Sequence, residues 1–431
     1  MEMSILIDIY NVLWYYLIME VVCMENDRII LRELAKEYAE IADLGVQKQT
    51  RDNWRKLNSL KSAKPTILLD EICWHEFSAC DELKLTCTDG FNRSLEWQMR
   101  EQIYRWKHFR ADMVVPKMIR IGKSYTDTGY GVGSVVQDET DYKNAQTHLY
   151  ADQLPDEESL NRLHFSKITY NKESTEANKL RAEELVGDIL PVHLSGSMLW
   201  MAVWDRIVFW RGAEPSLYSL VDDPDYVHKL MAKMTAIESD RIDQLEAQNL
   251  LDAGPSLCHA KETYLDEPLP DGFDENHIRA SDCWISGAAQ IFSEVSPAMH
   301  DEFEIEYLKP LYERFGWVYY GCCEPLHNKI DIISKIKNVR AISVSPWADV
   351  ETAAAAMGNK YVMSNKPNPA FVASGYVDAE SVKSETRKVL KECYKNNTPL
   401  EFILKDITTI NNRPDCLHEW YELVKSEIES Y

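Results

Sequence analysis

The chain has 431 residues and sets 70 Asp and Glu against 47 Lys and Arg, a formal charge of -23 at pH 7. A surface of that sign repels phosphate backbones, which excludes a general nucleic-acid binder. A hydrophobic share of 45%, with 10% aromatic residues, suffices for a large core, so a folded acidic protein is expected. By length alone it is two or three average domains or one decorated barrel.

The ten cysteines are Cys23, Cys73, Cys80, Cys87, Cys258, Cys283, Cys322, Cys323, Cys393 and Cys416. Scattered over a long chain, they read as a reduced set, which makes a cytoplasmic location the expectation. The most apolar stretch, residues 4–23, is interrupted by Asp8, Asn11 and Glu20 and lacks a basic start and a small-residue cleavage site. Neither a membrane span nor a signal peptide fits it. Met24 opens a strongly amphipathic pattern, so residues 1–23 read as a leader upstream of a domain that starts near Met24.

Helical periodicity over 28–60 is followed by eight short apolar runs, dense in β-branched residues and closed by polar, Gly or Pro residues. They are 66–72 (TILLDEI), 113–121 (MVVPKMIRI), 189–196 (ILPVHLSG), 253–260 (AGPSLCHA), 316–324 (GWVYYGCCE), 339–346 (VRAISVSP), 360–367 (KYVMSNKP) and 401–409 (EFILKDITT). Helical patterns at 225–251, 298–315, 349–357 and 379–394 lie between them. Strands alternating with helices imply parallel β-α units, and eight units are what a (β/α)8 TIM barrel needs. The expected class is therefore α/β: one barrel domain over 24–431, with an N-terminal helical extension and a polar insertion at 125–183 between the second and third strands. Such an insertion reads as an active-site cover or a partner surface. The glycine cluster Gly129-Tyr130-Gly131-Val132-Gly133 leads into SVVQDET rather than into a helix, so it does not read as a phosphate loop.

Barrel active sites are built at the C-terminal ends of strands. The polar groups there are Glu71 and His75 after the first run, Lys117 and Arg120 in the second, His193 in the third, and Cys258 and His259 in the fourth. The remaining runs supply Cys322, Cys323 and Glu324, then Ser345 and Asp349, then Asn365 and Lys366, then Lys405 and Asp406. Taken singly, each reads more readily as an ordinary loop-facing residue. The adjacent thiols are harder to dismiss: neighbours on a regular strand point to opposite faces, so both reach one place only if the strand end bends. With Glu324 and His259 they offer the S, O and N donors that zinc accepts, the plainer alternative being one small core cysteine and one idle.

WVYYGCCEPL, preceded by SEVSPAMHDEFEIEYLKPLYERFG and followed by RAISVSPWADVETAAAAMGNKYVMSNKPNPA, resembles the uroporphyrinogen decarboxylase superfamily. More narrowly, it is similar to the corrinoid-dependent methyltransferase and demethylase-like branch. The resemblance covers 186–431, including EFILKDITTINNRPDCLHEWYELV, and is weaker over 24–125; it implies the same (β/α)8 barrel. Two departures matter. Where the decarboxylases carry an arginine-rich motif after the first strand, this chain has LDEICWHEF, and Asp70, Glu71 and Glu76 make a poor mouth for a polycarboxylate substrate. Where the thiol methyltransferases use a His-x-Cys pair plus a later Cys for zinc, Gly321 stands at the His position relative to Cys323, and Cys416 is the only later cysteine near the last strand.

The resemblance implies methyl transfer from a small O-, N- or S-methyl donor, aromatic ethers among them, to the cobalt of a cobalamin carried by a partner corrinoid protein. The chain has no Asp-x-His-x-x-Gly motif to carry that cofactor itself. Zinc held by His259, Cys322 and Cys323, the expected ligand set, would act as the Lewis acid on the leaving group. Glu324, Asp349, Lys366 and Asp406 are the expected catalytic groups, with Lys405 as a second holder of developing negative charge. Glu71, His75, His193, Tyr320 and Trp347 are the expected substrate contacts. Two other readings remain: a metal-free decarboxylase-like enzyme acting on another carboxylate, and a non-catalytic corrinoid-protein partner. The oligomeric state is open, a homodimer through outer helices being one arrangement barrels adopt.

Overall fold

The computed structural model describes residues 24–61, 63–142, 145–266 and 270–431, without the side chains of 138–142 and 145–147. The expected leader at 1–23 lies outside the described residues. The fold is α/β. Nine strands make its parallel framework: β1 (Thr66–Leu69), β2 (Ile119–Gly122), β3 (Val192–Ser195), β4 (Leu199–Met201), β5 (Trp284–Gly287), β6 (Trp317–Tyr320), β7 (Val339–Val344), β8 (Val362–Asn365) and β9 (Leu400–Leu404). Seven form one sheet in the order β1-β9-β8-β7-β6-β5-β4, every pairing parallel. The other two, β2 and β3, pair in parallel with each other.

The sheet is buried on both faces, as parallel sheets are. Along each strand alternate residues go to opposite sides. Ile67, Leu69, Val318, Tyr320, Ile342, Met363, Phe402 and Leu404 join the cluster shared with helix residues such as Leu390 and Trp420. Leu68, Tyr319, Ala341, Val362 and Ile403 join a second cluster on the inner side. Helices connect successive strands where the periodicity places them, among them Pro224–Ala247, Val350–Met357 and Ala379–Asn396, and a further helix, Asp415–Ser430, follows the last strand. The expected run at 298–315 is a helix containing a one-turn π segment, Asp301–Ile305.

One expected wall strand is corrected. Residues 253–260 supply no strand of the main sheet; Leu257–Cys258 forms a short antiparallel hairpin with Lys261–Glu262. Its turn uses His259 and Ala260, both at positive φ (47° and 64°). Cys258 and Ala260 pack in the inner cluster with Tyr319 and Ile403, so the hairpin plugs the inner side rather than extending the wall. Lys261 is fully buried there, paired with Glu401 and lying 5.4 Å from the centroid of the Trp54 ring. The wall position is taken by β5, whose Gly287 is obligatory because the Tyr312 hydroxyl occupies the space a Cβ would need.

The insertion at 125–183 has secondary structure of its own: two antiparallel pairs, Tyr125–Asp127 with Ile168–Tyr170 and Val136–Tyr142 with Ala145–Tyr150, then the helix Lys172–Val186. Among the described residues, no helix is long and apolar enough to cross a membrane.

Candidate active site

Strands β1, β6 and β9 are not all neighbours, yet their C-terminal ends meet on the inner side. The period-2 rule sends Glu401, Ile403 and Lys405 to one face of β9, so the Lys405 side chain follows Glu401 inward and is 2% exposed. After β6 the chain turns at Gly321 (φ 98°), whose N–H donates to Gly287 O at 2.7 Å. A Cβ at that position would run into Leu326 and Ser343, which explains why the site carries no side chain there. The turn breaks the strand alternation and lets both following thiols reach the same place.

Cys322 Sγ lies 3.5 Å from Cys323 Sγ and 3.5 Å from Lys405 Nζ. Cys323 Sγ lies 3.4 Å from Asp406 Oδ2. The ammonium of Lys405 also reaches Glu71 Oε2 at 3.2 Å and Asp406 Oδ2 at 3.1 Å, while Asp406 N donates to Glu71 Oε2 at 3.2 Å. Glu71 and Asp406 both hold left-handed backbone, φ 48° and 57°. For non-glycine residues this is strained, a cost of ~1–3 kcal/mol each that folds retain chiefly at functional sites.

The electrostatics split like groups apart. A hydrogen bond from Cys322 holds the Cys323 thiol below its ordinary range against the effect of burial, and the same bond with burial pushes Cys322 up. Burial raises Glu71, helped by its hydrogen bond with Asp406. Burial alone would raise Asp406 too, but the bond with Glu71 and the charge of Lys405 bring it down. Burial works against the Lys405 ammonium, but Cys322, Glu71 and Asp406 outweigh it and keep that group firmly charged. Such a split makes one carboxyl a proton donor and the other an acceptor.

A second lysine borders the cluster. Lys366 is buried, donates to Ser364 Oγ at 2.9 Å and lies 5.3 Å from the centroid of the Tyr319 ring, whose hydroxyl donates to the same Ser364 at 3.0 Å. Burial brings its pKa down to about 7. His259 stacks on Trp200 (centroids 4.6 Å apart, planes at 19°) and is held neutral, its pKa lowered to about 2 by burial and by the charges of Lys366 and Lys405. Its Nε2, Ser345 Oγ and Glu401 Oε1 are buried without a hydrogen-bond partner. Orphaned polar atoms of this kind call for a ligand or ordered water.

Of the groups expected from sequence, Glu71, Cys322, Cys323, Lys366, Lys405 and Asp406 are thus brought together, with His259 beside the lysines. The others stand apart. Tyr320 has the opposite parity to Tyr319 and is buried against the helix layer, donating to Glu304 Oε2 at 3.0 Å and meeting His300 at 2.8 Å. Glu324 is buried and accepts from Cys322 N at 3.0 Å; burial raises its carboxyl to about 7. Asp349 caps the helix Val350–Met357 through Thr352 N at 2.8 Å. Trp347 is 72% exposed. His75 sits in a 3-10 turn beside Glu76, and His193 is an exposed residue of β3. Ser343, Ser364 and the Lys261–Glu401 pair were not singled out by sequence, although the same alternation that selects Tyr319 and Lys405 points to them.

The arrangement does not fit the expected zinc set. Among the described residues no three His, Cys, Asp or Glu side chains gather closely enough to hold a metal ion, and the Lys405 ammonium supplies the positive charge between the thiol and the carboxylates.

No family model matches this chain, and no curated protein matches it in sequence. Among solved structures it is similar to a methyltransferase from Methanosarcina mazei, at 9% identity and a TM-score of 0.47, over 88% of this chain and 98% of that one.

Proposed function

We propose that this chain is the methyl-transferring component of a corrinoid-dependent system, built on a (β/α)8 barrel. The barrel reading is supported by continuity at the edges of the seven-stranded sheet. Only residues 196–198 separate β3 from β4, and the chain leading to β2 is tied to β1 where Asp112 N donates to Ile67 O at 2.9 Å. Counting β3 and β4 as one interrupted strand makes eight wall positions.

The observation that carries the functional reading is the Cys322–Cys323 pair locked to Lys405 at the strand ends, with Glu71 and Asp406 of split acidity behind it. A methyl group leaves its O, N or S atom with the bonding electrons remaining on that atom. The corrinoid, carried by a partner protein, supplies the cobalt nucleophile that takes the methyl group. The part left to this chain is the leaving group. Lys405 holds its developing negative charge, and Lys366 or Glu71 delivers the proton that neutralises it. Cys323 orders Lys405 through Cys322. Zinc is given no step, because among the described residues no three His, Cys, Asp or Glu side chains gather closely enough to hold it. The free thiols of this site suit a reducing, cytoplasmic setting.

The test is methyl transfer to cobalamin by the full-length chain, with the cofactor reduced to its Co(I) state and a methoxyarene, a methylamine and a methyl thioether offered in turn. One donor class should change the cobalamin absorbance at a rate proportional to enzyme. No change with any class, in the presence of the corrinoid protein as well, would refute the reading. Metal analysis of the same preparation separates its two forms: one zinc per chain, lost in Cys322→Ser/Cys323→Ser, would put a metal in place of the lysine.

A further inference from the structure

A cavity of about 310 Å3 opens beside β1, away from the thiol cluster. Its origin is local. Asp112 is bonded to Ile67 through both its N–H and its carboxylate (2.9 and 2.7 Å), but beyond it Val114 N and Val115 N donate to the side chains of Glu262 and Gln47 (3.3 and 2.9 Å) and Pro116 has no N–H. Leu68, Met113 and Val114 give the cavity an apolar wall, and Tyr38, Tyr264 and Glu262 close it.

The charges around it decide what can enter. Two guanidiniums reach the lining, and both are matched already. Arg105 lies 3.5 Å from Asp70 and 3.4 Å from Glu101, and Arg120 lies 3.2 Å from Asp252. Glu262 is additional to these three carboxylates. It is buried, accepts Val114 N through Oε1 at 3.3 Å, and makes no ion pair among the described residues. An anion would meet cations that are already neutralised and a surplus of negative charge. A neutral apolar molecule would leave the second oxygen of the Glu262 carboxyl without a charged partner.

We propose that this cavity binds a small organic cation, an ammonium on a compact apolar body, with Glu262 as its counter-ion and Leu68, Met113 and Val114 against the body. The site is separate from the thiol cluster, since none of the residues lining the cavity belongs to it. It is nonetheless linked by one hairpin: Leu257 and Glu262 line the cavity, while His259 between them stacks on Trp200. The proposal does not depend on the methyl-transfer reading.

Titration calorimetry on the full chain with benzylamine, benzyl alcohol and benzoate compares one ring carrying positive, zero and negative charge. Benzylamine should bind at least tenfold more tightly than the other two. Glu262→Gln keeps an oxygen for Val114 N–H and removes the charge, so benzylamine affinity should fall at least tenfold while benzyl alcohol is unaffected. Cys322→Ser/Cys323→Ser should leave benzylamine binding intact. Benzoate binding as tightly as benzylamine, unchanged benzylamine affinity in Glu262→Gln, loss of binding in the double serine variant, or no benzylamine heat at millimolar concentration would each overturn the proposal.

Discussion

The Cys323 thiol is pushed toward its reactive form chiefly by one neighbour. A thiol is a nucleophile only as thiolate, and the bond from Cys322 keeps Cys323 below its ordinary range in spite of burial. Removing that donor raises the Cys323 thiol again, and a thiol whose pKa lies above neutrality loses about tenfold in thiolate at pH 7 for every further pKa unit. Site-resolved mass spectrometry of iodoacetamide alkylation at pH 7 should therefore show Cys323 slowed at least ~3-fold by Cys322→Ala. An unchanged rate would mean that Lys405, not Cys322, governs the thiol. Asp349 is a contrasting residue. Its carboxylate is spent on the N-terminus of a helix, so Asp349→Ala should cost ~1 kcal/mol in urea unfolding and leave methyl transfer at its wild-type rate.

Among the elements, the hairpin Leu257–Cys258/Lys261–Glu262 is the most consequential, because it fills the inner side and delivers both His259 and Glu262. Its anchor is the Lys261–Glu401 pair, with both side chains fully buried. Breaking a buried pair leaves one charge without compensation, whereas replacing both by apolar groups is often neutral. Lys261→Met should lose ~3–5 kcal/mol in urea unfolding, and Lys261→Met/Glu401→Leu should recover most of it.

This hairpin also marks where sequence reading stopped. The β-branched runs TILL, VRAISV, VMSN and LEFIL identify wall strands because each is short, apolar and bounded by breakers. AGPSLCHA resembles them in hydrophobicity, but a turn at His259 and Ala260 and a proline without an N–H make it a plug. WISG at β5 is hard to read as a strand along the chain, because a four-residue run ending in Ser and Gly carries little β signal. Its glycine answers to Tyr312, a contact made across the fold and invisible along the chain. For the site, strand-end position found Cys322, Cys323, Lys366, Lys405 and Asp406. It could not tell Tyr319 from Tyr320, neighbours that the strand alternation sends to opposite clusters.

At the scale of the whole molecule, a charge of -23 is distributed around an interior in which burial makes some acids harder to ionise. Burial raises Glu262 and Glu324 to about 7. A carboxyl whose folded pKa exceeds its unfolded value stabilises the native state fully below the unfolded value, and that contribution is lost as pH rises through about 7. The whole effect is worth at most about 3 kcal/mol per group. Unfolding free energies of wild type and Glu262→Gln, measured in urea at pH 5 and pH 8, should therefore differ in wild type's favour at the lower pH, with the advantage shrinking or reversing at the higher.

The thiol–lysine cluster at the ends of β6 and β9 is proposed to drive methyl transfer to a partner's cobalt. The most direct measurement is the initial rate of methyl transfer to Co(I) cobalamin by wild type, Cys322→Ser/Cys323→Ser and Lys405→Met, each shown to keep the wild-type circular dichroism spectrum. A loss of at least ~100-fold is expected in both variants, the scale on which removing an electrostatic stabiliser acts. Rates within twofold of wild type in either folded variant would contradict it.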